Sequence, residues 1–407
     1  GVVVAGNGAL GGVRSITFVQ AFQYWLKLTA LLVPVVFLMV HWQADGRPAL
    51  ADPAGPVFAE TTVVVLESPT TLTVTSPVIV TVTGGLDGQP RTGPMVVAVG
   101  RHPVDAGTRL EFPAGARVPT VSDVELATPA DWVRPAGNAR RLFATYSLIL
   151  ATFLGTMGLP HVLVRFYTNP DGASARRTTL LVLGLVGVFY LLPTLYGALG
   201  RVYTPQLLMT GRTDTVVLTL PAAALGGGLV GQLLGALVAA GAFAAFLSTS
   251  SGLLTSVAGV LSTDPLGSSS VLDFRVATVA AGAVGSTLAL LVSGLDVSQV
   301  VGLAFAVAAS SFCPLLVLGV WWRGLTAVGA AAGIVAGGGA SAVAVGLTVA
   351  GAVPSGWPAT LVAQPAAWTV PLSFVVMVTG SLLTRRRVPR GVGQMMLRLH
   401  APDTLRL

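Results

Sequence analysis

The sequence predicts an all-α polytopic membrane protein that carries a small β-rich insert. Of its 407 residues, 53% are hydrophobic and only 10% are charged, whereas a soluble domain carries about 25% charged residues. Lipid is therefore the solvent that this composition suits. Long apolar runs recur along the chain, and they are interrupted by one stretch, residues 43–139, that is rich in short β-branched runs instead.

The apolar runs predict about eight transmembrane helices. A helix that spans a bilayer needs about 20 mostly apolar residues. The segments that meet this condition are 16–41, 141–167, 178–199, 228–262, 275–294, 297–321, 325–351 and 366–384. Glycine is frequent inside them, as in the run GIVAGGG at 333–339. Small residues let transmembrane helices approach closely, so these glycines indicate packing within a helix bundle.

Arginine is concentrated in three places that the predicted spans put on one side of the membrane. These are the loop 168–177, the turn 322–325 and the tail 385–407. Because cytoplasmic segments carry an excess of Lys and Arg, we expect a multi-pass protein of the cell (plasma) membrane with a cytoplasmic C-terminus. Arg201 and Arg212, in a loop on the other side, argue weakly against this orientation.

The chain is thus expected to divide into four parts. They are a cytoplasmic entry with a first transmembrane helix (1–42), an extracellular β-rich insert (43–139), seven further transmembrane helices (140–384) and a basic cytoplasmic tail (385–407).

The insert is predicted to form a small extracellular β-domain. Its β-branched runs lie at 61–66, 71–75, 78–83 and 95–99, and Gly, Pro and Asp separate them. Such alternation is typical of strands and turns, and none of these runs is long enough to cross a membrane as a helix. A partly disordered loop is the alternative interpretation.

The second predicted span contains a helix-breaking motif, in which Gly155, Thr156, Met157 and Gly158 are followed closely by Pro160. Proline lacks an N–H and displaces the carbonyl four residues before it. Backbone groups freed at membrane depth are tolerated only inside a protein or beside a water-filled cavity, and discontinuous helices form substrate and ion sites in transporters. The four residues before Leu159 are therefore candidates for a substrate pocket. A plain proline kink with packing glycines is the alternative.

Four consecutive hydroxyl residues, 248–251, lie in the middle of the fourth predicted span. Sodium is a hard cation, and hard cations take oxygen ligands. The Ala245 carbonyl lies on the same side of a helix as the Ser248 hydroxyl three residues later, and Thr249 adjoins it. Ala245, Ser248 and Thr249 are therefore candidate sodium ligands. Alternatively, these hydroxyls bond back to the preceding turn of their own helix.

Two ionisable residues are candidates for coupling. Lys27 is the only lysine in the chain and lies in the first predicted span, where an ionisable residue suggests a function, although lysine also snorkels to the membrane surface. His161 is of the type that exchanges a proton near neutral pH, although a lone histidine beside Arg165 is more often structural. The spans hold no Ser-His-Asp set, carboxylate pair or metal-ligand cluster. We therefore expect no enzyme, no cofactor, no metal other than sodium and no nucleic-acid partner.

Several stretches together resemble the sodium:solute symporter family, in particular its cation/acetate (monocarboxylate) branch. They are GGVRSITFVQ (11–20), GTMGLPHVLVRFYT (155–168), AAFLSTSSGLLTSVAGVLS (244–262) and LAFAVAASSFCPLLVLGVWWR (303–323). The resemblance implies an inverted repeat of five plus five helices, of which core helices five to ten and two peripheral helices would be visible. The chain would then be N-terminally truncated relative to the family. By position, Ala245 would give a carbonyl, and Ser248 and Thr249 hydroxyls, to a sodium ion.

The function that this resemblance implies is secondary active transport. Sodium entry would drive the uptake of a small solute, by analogy a short monocarboxylate such as acetate. The alternatives are a proton-coupled carrier and a membrane sensor that uses the β-domain. The expected partners are the lipid bilayer, the sodium ion and a small carboxylate solute, and the oligomeric state is left open.

Overall fold

The computed structural model describes residues 1–50, 55–121, 139–159, 169–264, 270–292, 297–353 and 356–400, without the side chains of residues 7 and 9–20. The chain forms two compact units. The first unit consists of Val2–Arg134 and Arg176–Thr255, and the second of Gly1, Pro135–Ala175 and Ser256–Leu407.

Most of the described residues are helical. The helices are α1 (Val2–Ala44), α2 (Ala139–Gly158), α3 (Gly172–Tyr203), α4 (Leu207–Thr210), α5 (Val216–Ala224), α6 (Leu229–Thr263), α7 (Val271–Leu291), α8 (Val297–Trp321), α9 (Ala327–Gly333), α10 (Gly339–Val349), α11 (Trp357–Ala363), α12 (Ala366–Leu383) and α13 (Val392–His400). A π-helical segment, Ile334–Gly338, joins α9 to α10, and 3₁₀ turns lie at Thr213–Thr215 and Arg385–Arg387.

Among the described residues, seven helical segments are long and apolar enough to cross a bilayer. They are Ala21–Ala44, Gly172–Tyr203, Leu229–Thr263, Val271–Leu291, Val297–Trp321, Ala327–Val349 and Ala366–Leu383. The prediction of a polytopic helical membrane protein is confirmed, and seven of the predicted spans correspond to these segments. The remaining predicted span, 141–167, begins as α2, and its part at 160–168 lies outside the described residues.

Three helices, α1, α3 and α7, begin at least four residues earlier than the apolar pattern predicts. α1 starts at Val2, α3 at Gly172 and α7 at Val271, whereas the corresponding spans were predicted to start at 16, 178 and 275. The N-terminus of α7 is explained by Ser270, whose hydroxyl accepts a hydrogen bond from the Leu272 N–H at 3.1 Å. Serine in this position satisfies a free N–H of the first turn, a signal that hydrophobicity alone does not carry.

In the first unit, α1 packs against α3 and α5. Val35 and Leu38 of α1 are buried together with Tyr196 of α3 and Leu220 of α5. The Tyr196 hydroxyl donates to the Leu31 carbonyl at 3.3 Å, so the phenol keeps a hydrogen bond in apolar surroundings.

The insert contains an antiparallel β-sheet, which confirms that this stretch is β-rich. Its strands are β1 (Thr62–Val65), β2 (Thr70–Val74), β3 (Val78–Leu86), β4 (Gln89–Val97), β5 (Gly100–Val104), β6 (Arg109–Phe112) and β7 (Thr120–Val121). The strand order is β1-β6-β3-β5-β2-β7, and β4 pairs with β3. The extracellular position of the insert stays a prediction.

Alternation along β3 builds the core of the sheet. Val78, Val80 and Val82 are buried, as expected when one face of a strand is covered. β3 and β4 pair from Leu86 with Gln89 onward, which leaves a two-residue loop of Asp87 and Gly88. Both have positive φ, 56° and 71°, as a type I′ hairpin turn requires.

In the second unit, small residues pack α9 and the π-helical segment against α8 and α12. A Cβ on Gly329 would lie 2.8 Å from the Met377 carbonyl oxygen, and one on Gly337 would lie 2.6 Å from the Ser310 carbonyl oxygen. Any larger side chain at these positions would therefore force the helices apart. The prediction of bundle packing is confirmed for Gly333, Gly337 and Gly338 of the GIVAGGG run, but not for Gly339, whose added Cβ would meet no described neighbour.

Candidate functional site

The hydroxyl run lies within α6, and helical periodicity divides it between two faces. Ser248 (8% exposed) and Ser251 (2% exposed) are buried together with Ala244, whereas Thr249 is exposed. Ala245 is half-buried. The structure thus turns Ser248 inward but leaves the Thr249 side chain on the outer face. The role of Ala245, Ser248 and Thr249 as sodium ligands stays a prediction.

α6 approaches α1 at Gly241, two turns before Ser248. A Cβ on Gly241 would contact the Ala30 side chain and lie 3.7 Å from the Lys27 Cα. Glycine permits such a close approach of two spans. Seven residues of α-helix rise by about 10 Å, so Ser248 lies about 10 Å along α6 from this contact. The half-buried Lys27 therefore lies on a helix that packs against the helix with the buried hydroxyls.

Gln23 is a polar residue on α1 that the sequence analysis missed. It is 9% exposed, and its Oε1 has no hydrogen-bond partner among the described residues. Gln23, Lys27 and Ala30 follow the spacing of one helix face, and the last two lie beside α6. The available signal was a glutamine one turn before the lysine in an apolar span.

The candidate pocket residues lie on α2, and they too divide between two faces. A Cβ on Gly155 would lie 2.5 Å from the Phe305 carbonyl oxygen, and one on Gly158 would lie 2.8 Å from that of Ala308. Both glycines are therefore required for contact with α8. Thr156 and Met157 are exposed, and the Thr156 hydroxyl donates to the Thr152 carbonyl at 2.6 Å.

The predicted helix break is described only in part. α2 ends at Gly158, whereas Pro160 and His161 lie outside the described residues. The hydroxyl run belongs to the first unit and the α2 glycines to the second. A shared pocket, and a coupling role for Lys27 or His161, stay predictions.

The second unit contains buried hydroxyls that the sequence analysis did not single out. The Ser310 and Thr369 hydroxyls are 2.7 Å apart, and Ser373 donates to the Gly333 carbonyl at 3.0 Å. Ser341 is also buried, and its hydroxyl has no hydrogen-bond partner among the described residues. Single hydroxyl residues in apolar runs are a weak signal, because most bond back to their own helix.

Several apolar spans with glycines and hydroxyls turned inward define a class of protein, the polytopic helical membrane proteins to which solute transporters belong. The model of the sodium:solute symporter family matches residues 112–337, more than half of the chain. The chain belongs to the sodium:solute symporter family, as the sequence motifs predicted.

Two relatives illustrate the match. The chain is 32% identical over 281 residues to the uncharacterized symporter YwcA of Bacillus subtilis, covering 64% of this chain and 54% of the relative. It is 30% identical over 256 residues to a monocarboxylic acid transporter of Corynebacterium glutamicum, covering 58% of this chain and 46% of the relative. The chain therefore spans about half the length of these curated relatives. No solved structure matches it significantly.

Proposed function

We propose that this chain is part of a secondary active transporter of the cell membrane in which sodium entry drives the uptake of a small solute, a short monocarboxylate such as acetate. The family supports solute transport, and the name of the Corynebacterium glutamicum relative, a monocarboxylic acid transporter, supports a monocarboxylate. The observation that carries the sodium part is the inward position of Ser248 within an apolar span.

The hydroxyl run offers a cation several oxygen atoms within an apolar helix. A hard cation binds hydroxyl and carbonyl oxygens. In the proposed site, Ser248 and Thr249 give hydroxyl oxygens and Ala245 its carbonyl. The Gln23 Oε1 on α1, which has no hydrogen-bond partner among the described residues, is a further oxygen within the same unit.

Sodium also suits the proposed solute. A carboxylate crossing the bilayer as a lone anion carries a high electrostatic cost, and a co-transported cation neutralises it. Coupling requires that the ion stabilise the conformation in which the solute binds more tightly. The solute would bind near Gly155, Thr156, Met157 and Gly158.

Proton coupling is the second candidate mechanism. It is favoured by the half-buried Lys27, which lies beside α6 at Gly241. In that mechanism Lys27 or His161 would carry the proton.

The proposal is tested by uptake of radiolabelled acetate into vesicles that contain the full-length protein, with and without a sodium gradient. We expect Ser248→Ala combined with Thr249→Ala to abolish the stimulation by sodium. Thr255→Ala is the matched control, because the Thr255 hydroxyl donates back to the Ser251 carbonyl at 2.9 Å on the same helix. Unchanged sodium dependence in the double variant would remove the proposed ion site.

A further inference from the structure

The core of the β-sheet domain (residues 55–121) contains a residue from a distant part of the chain. Met209 of α4 is completely buried among the aliphatic side chains of the sheet, and Leu208 packs against the same cluster. These residues belong to the connecting segment, defined here as residues 204–215, which follows α3. One side chain in the core of the sheet therefore comes from the connecting segment between α3 and α5.

Two further contacts lie beside this methionine. A Cβ on Gly211 would lie 3.7 Å from Cγ2 of Val121 in β7, and Arg212 forms an ion pair of 2.6 Å with Glu67. Because both partners of the ion pair are largely exposed, it contributes little. The apolar contact of Met209 is the main attachment between the segment and the sheet.

The other end of the connecting segment leads into α5, which packs on the helices. A Cβ on Gly200 of α3 would contact Val216 of α5, and Leu220 is buried with Val35 and Leu38 of α1. α5 is thus tied to α1 and α3 on one side and, through Met209, to the sheet on the other. All of these residues belong to the first unit.

We infer that the β-sheet domain is a positioning element of the transporter, which holds the connecting segment through Met209 and thereby fixes α5 against α1. Withdrawing Met209 would expose an apolar side chain and leave a cavity in the sheet, and both changes are unfavourable. The segment therefore stays attached to the sheet throughout the transport cycle. The functional part of this inference rests on the proposed transport activity.

The first test removes the attachment in the full-length protein, with sodium-driven uptake of radiolabelled acetate into vesicles as the measurement. We expect Met209→Ser to lower the initial rate at least five-fold at an equal amount of protein in the membrane. Met209→Leu, which keeps apolar volume, is expected to stay within two-fold of the wild-type rate. A wild-type rate for Met209→Ser would overturn the inference.

The second test fixes the attachment covalently. In the double variant Val121→Cys, Gly211→Cys, a disulfide would join β7 to the connecting segment, because an added Cβ on Gly211 lies 3.7 Å from Cγ2 of Val121. Gly211 has a φ of 68°, which strains any side chain there, so the reduced form of the same protein, which carries the same strain, is the control. We expect the oxidised protein to transport at the rate of the reduced one, and oxidation to restore the rate when Met209→Ser is added. Loss of transport on oxidation would show that the segment must leave the sheet, which overturns the inference.

A third measurement does not depend on the transported solute, so it separates this inference from the proposed function. We expect Met209→Cys to resist a membrane-impermeant maleimide in the folded protein, whereas Thr213→Cys, in the exposed turn that follows, reacts fully. Rapid labelling at position 209 would refute the attachment. Absence of sodium-driven acetate uptake by the wild type, with position 209 protected, would instead refute only the proposed function.

Discussion

The Ser373 hydroxyl of α12 donates a hydrogen bond to the Gly333 carbonyl at 3.0 Å. Gly333 immediately precedes the π-helical segment Ile334–Gly338, where backbone hydrogen bonds span five residues instead of four. Ser373 is fully buried. Its hydroxyl supplies a hydrogen-bond donor to the carbonyl of the last residue before the α-helix becomes a π-helix. A side chain from one span thus stabilises an irregular turn in its neighbour.

Ser373→Ala is expected to destabilise the protein by about 1–3 kcal/mol, because a buried carbonyl loses a hydrogen bond that water does not replace. The measurement is thermal unfolding in detergent micelles. Thr379→Ala is the control on the same helix, since the exposed Thr379 hydroxyl bonds back to the Val375 carbonyl at 2.7 Å. Equal changes in unfolding temperature for the two variants would show that the Ser373 hydrogen bond stabilises the protein no more than a bond within one helix does.

Gly155→Ala is expected to destabilise the contact between α2 and α8 by about 1–3 kcal/mol, as overpacking does in other cores. The added Cβ would lie 2.5 Å from the Phe305 carbonyl oxygen. Gly187→Ala in α3 is the control, because no atom of another element among the described residues lies within 4 Å of its added Cβ. Its expected effect is neutral or stabilising, as alanine favours a helix over glycine. The stability of both variants is measured by thermal unfolding in detergent micelles. Wild-type stability of Gly155→Ala would argue against close packing between α2 and α8.

The long apolar spans were predictable because hydrophobicity extends over their whole length. α6 was predicted as 228–262 and is observed as Leu229–Thr263. The π-helical segment was not predicted, since only the pattern of hydrogen bonds distinguishes it. The strands β5 to β7 were missed because they are short or mix charge and proline with few β-branched residues, as in Arg101, His102 and Pro103 of β5.

Only the features of the candidate site that depend on the periodicity of a single helix were predictable. Helical spacing turns Ser248 and Ser251 of α6 inward, but the same spacing places Thr249 on the exposed face. Whether Gly155 and Gly158 open a pocket or serve packing depends on the helix beside them. A single sequence does not identify α8 as that neighbour, so the contacts with Phe305 and Ala308 could not be foreseen.

The position of the sheet relative to the membrane is testable with one cysteine. Gln89 is exposed at the end of the β3–β4 hairpin turn, and the native Cys313 is buried. We expect Gln89→Cys to react with an impermeant maleimide in intact cells, because the arginine distribution predicts an extracellular insert. Arg398→Cys in the basic tail is the control that should react only after lysis. Reaction of Gln89→Cys only after lysis, together with reaction of Arg398→Cys in intact cells, would contradict the predicted topology.

Sodium and proton coupling make opposite predictions for Lys27→Arg. Arginine keeps the positive charge but does not release a proton in proteins, so a carrier that passes a proton through Lys27 would lose uptake. If sodium is the coupling ion, we expect this variant to keep sodium-stimulated acetate uptake within about three-fold of wild type, a difference of less than 1 kcal/mol. Lys27→Met supplies the comparison without charge, and its pH profile of uptake should match that of wild type. Loss of uptake in the arginine variant, at wild-type protein levels, would favour the proton as the coupling ion. Lys27 lies beside α6 at Gly241, so a change in its charge would act on the helix that carries the hydroxyl run.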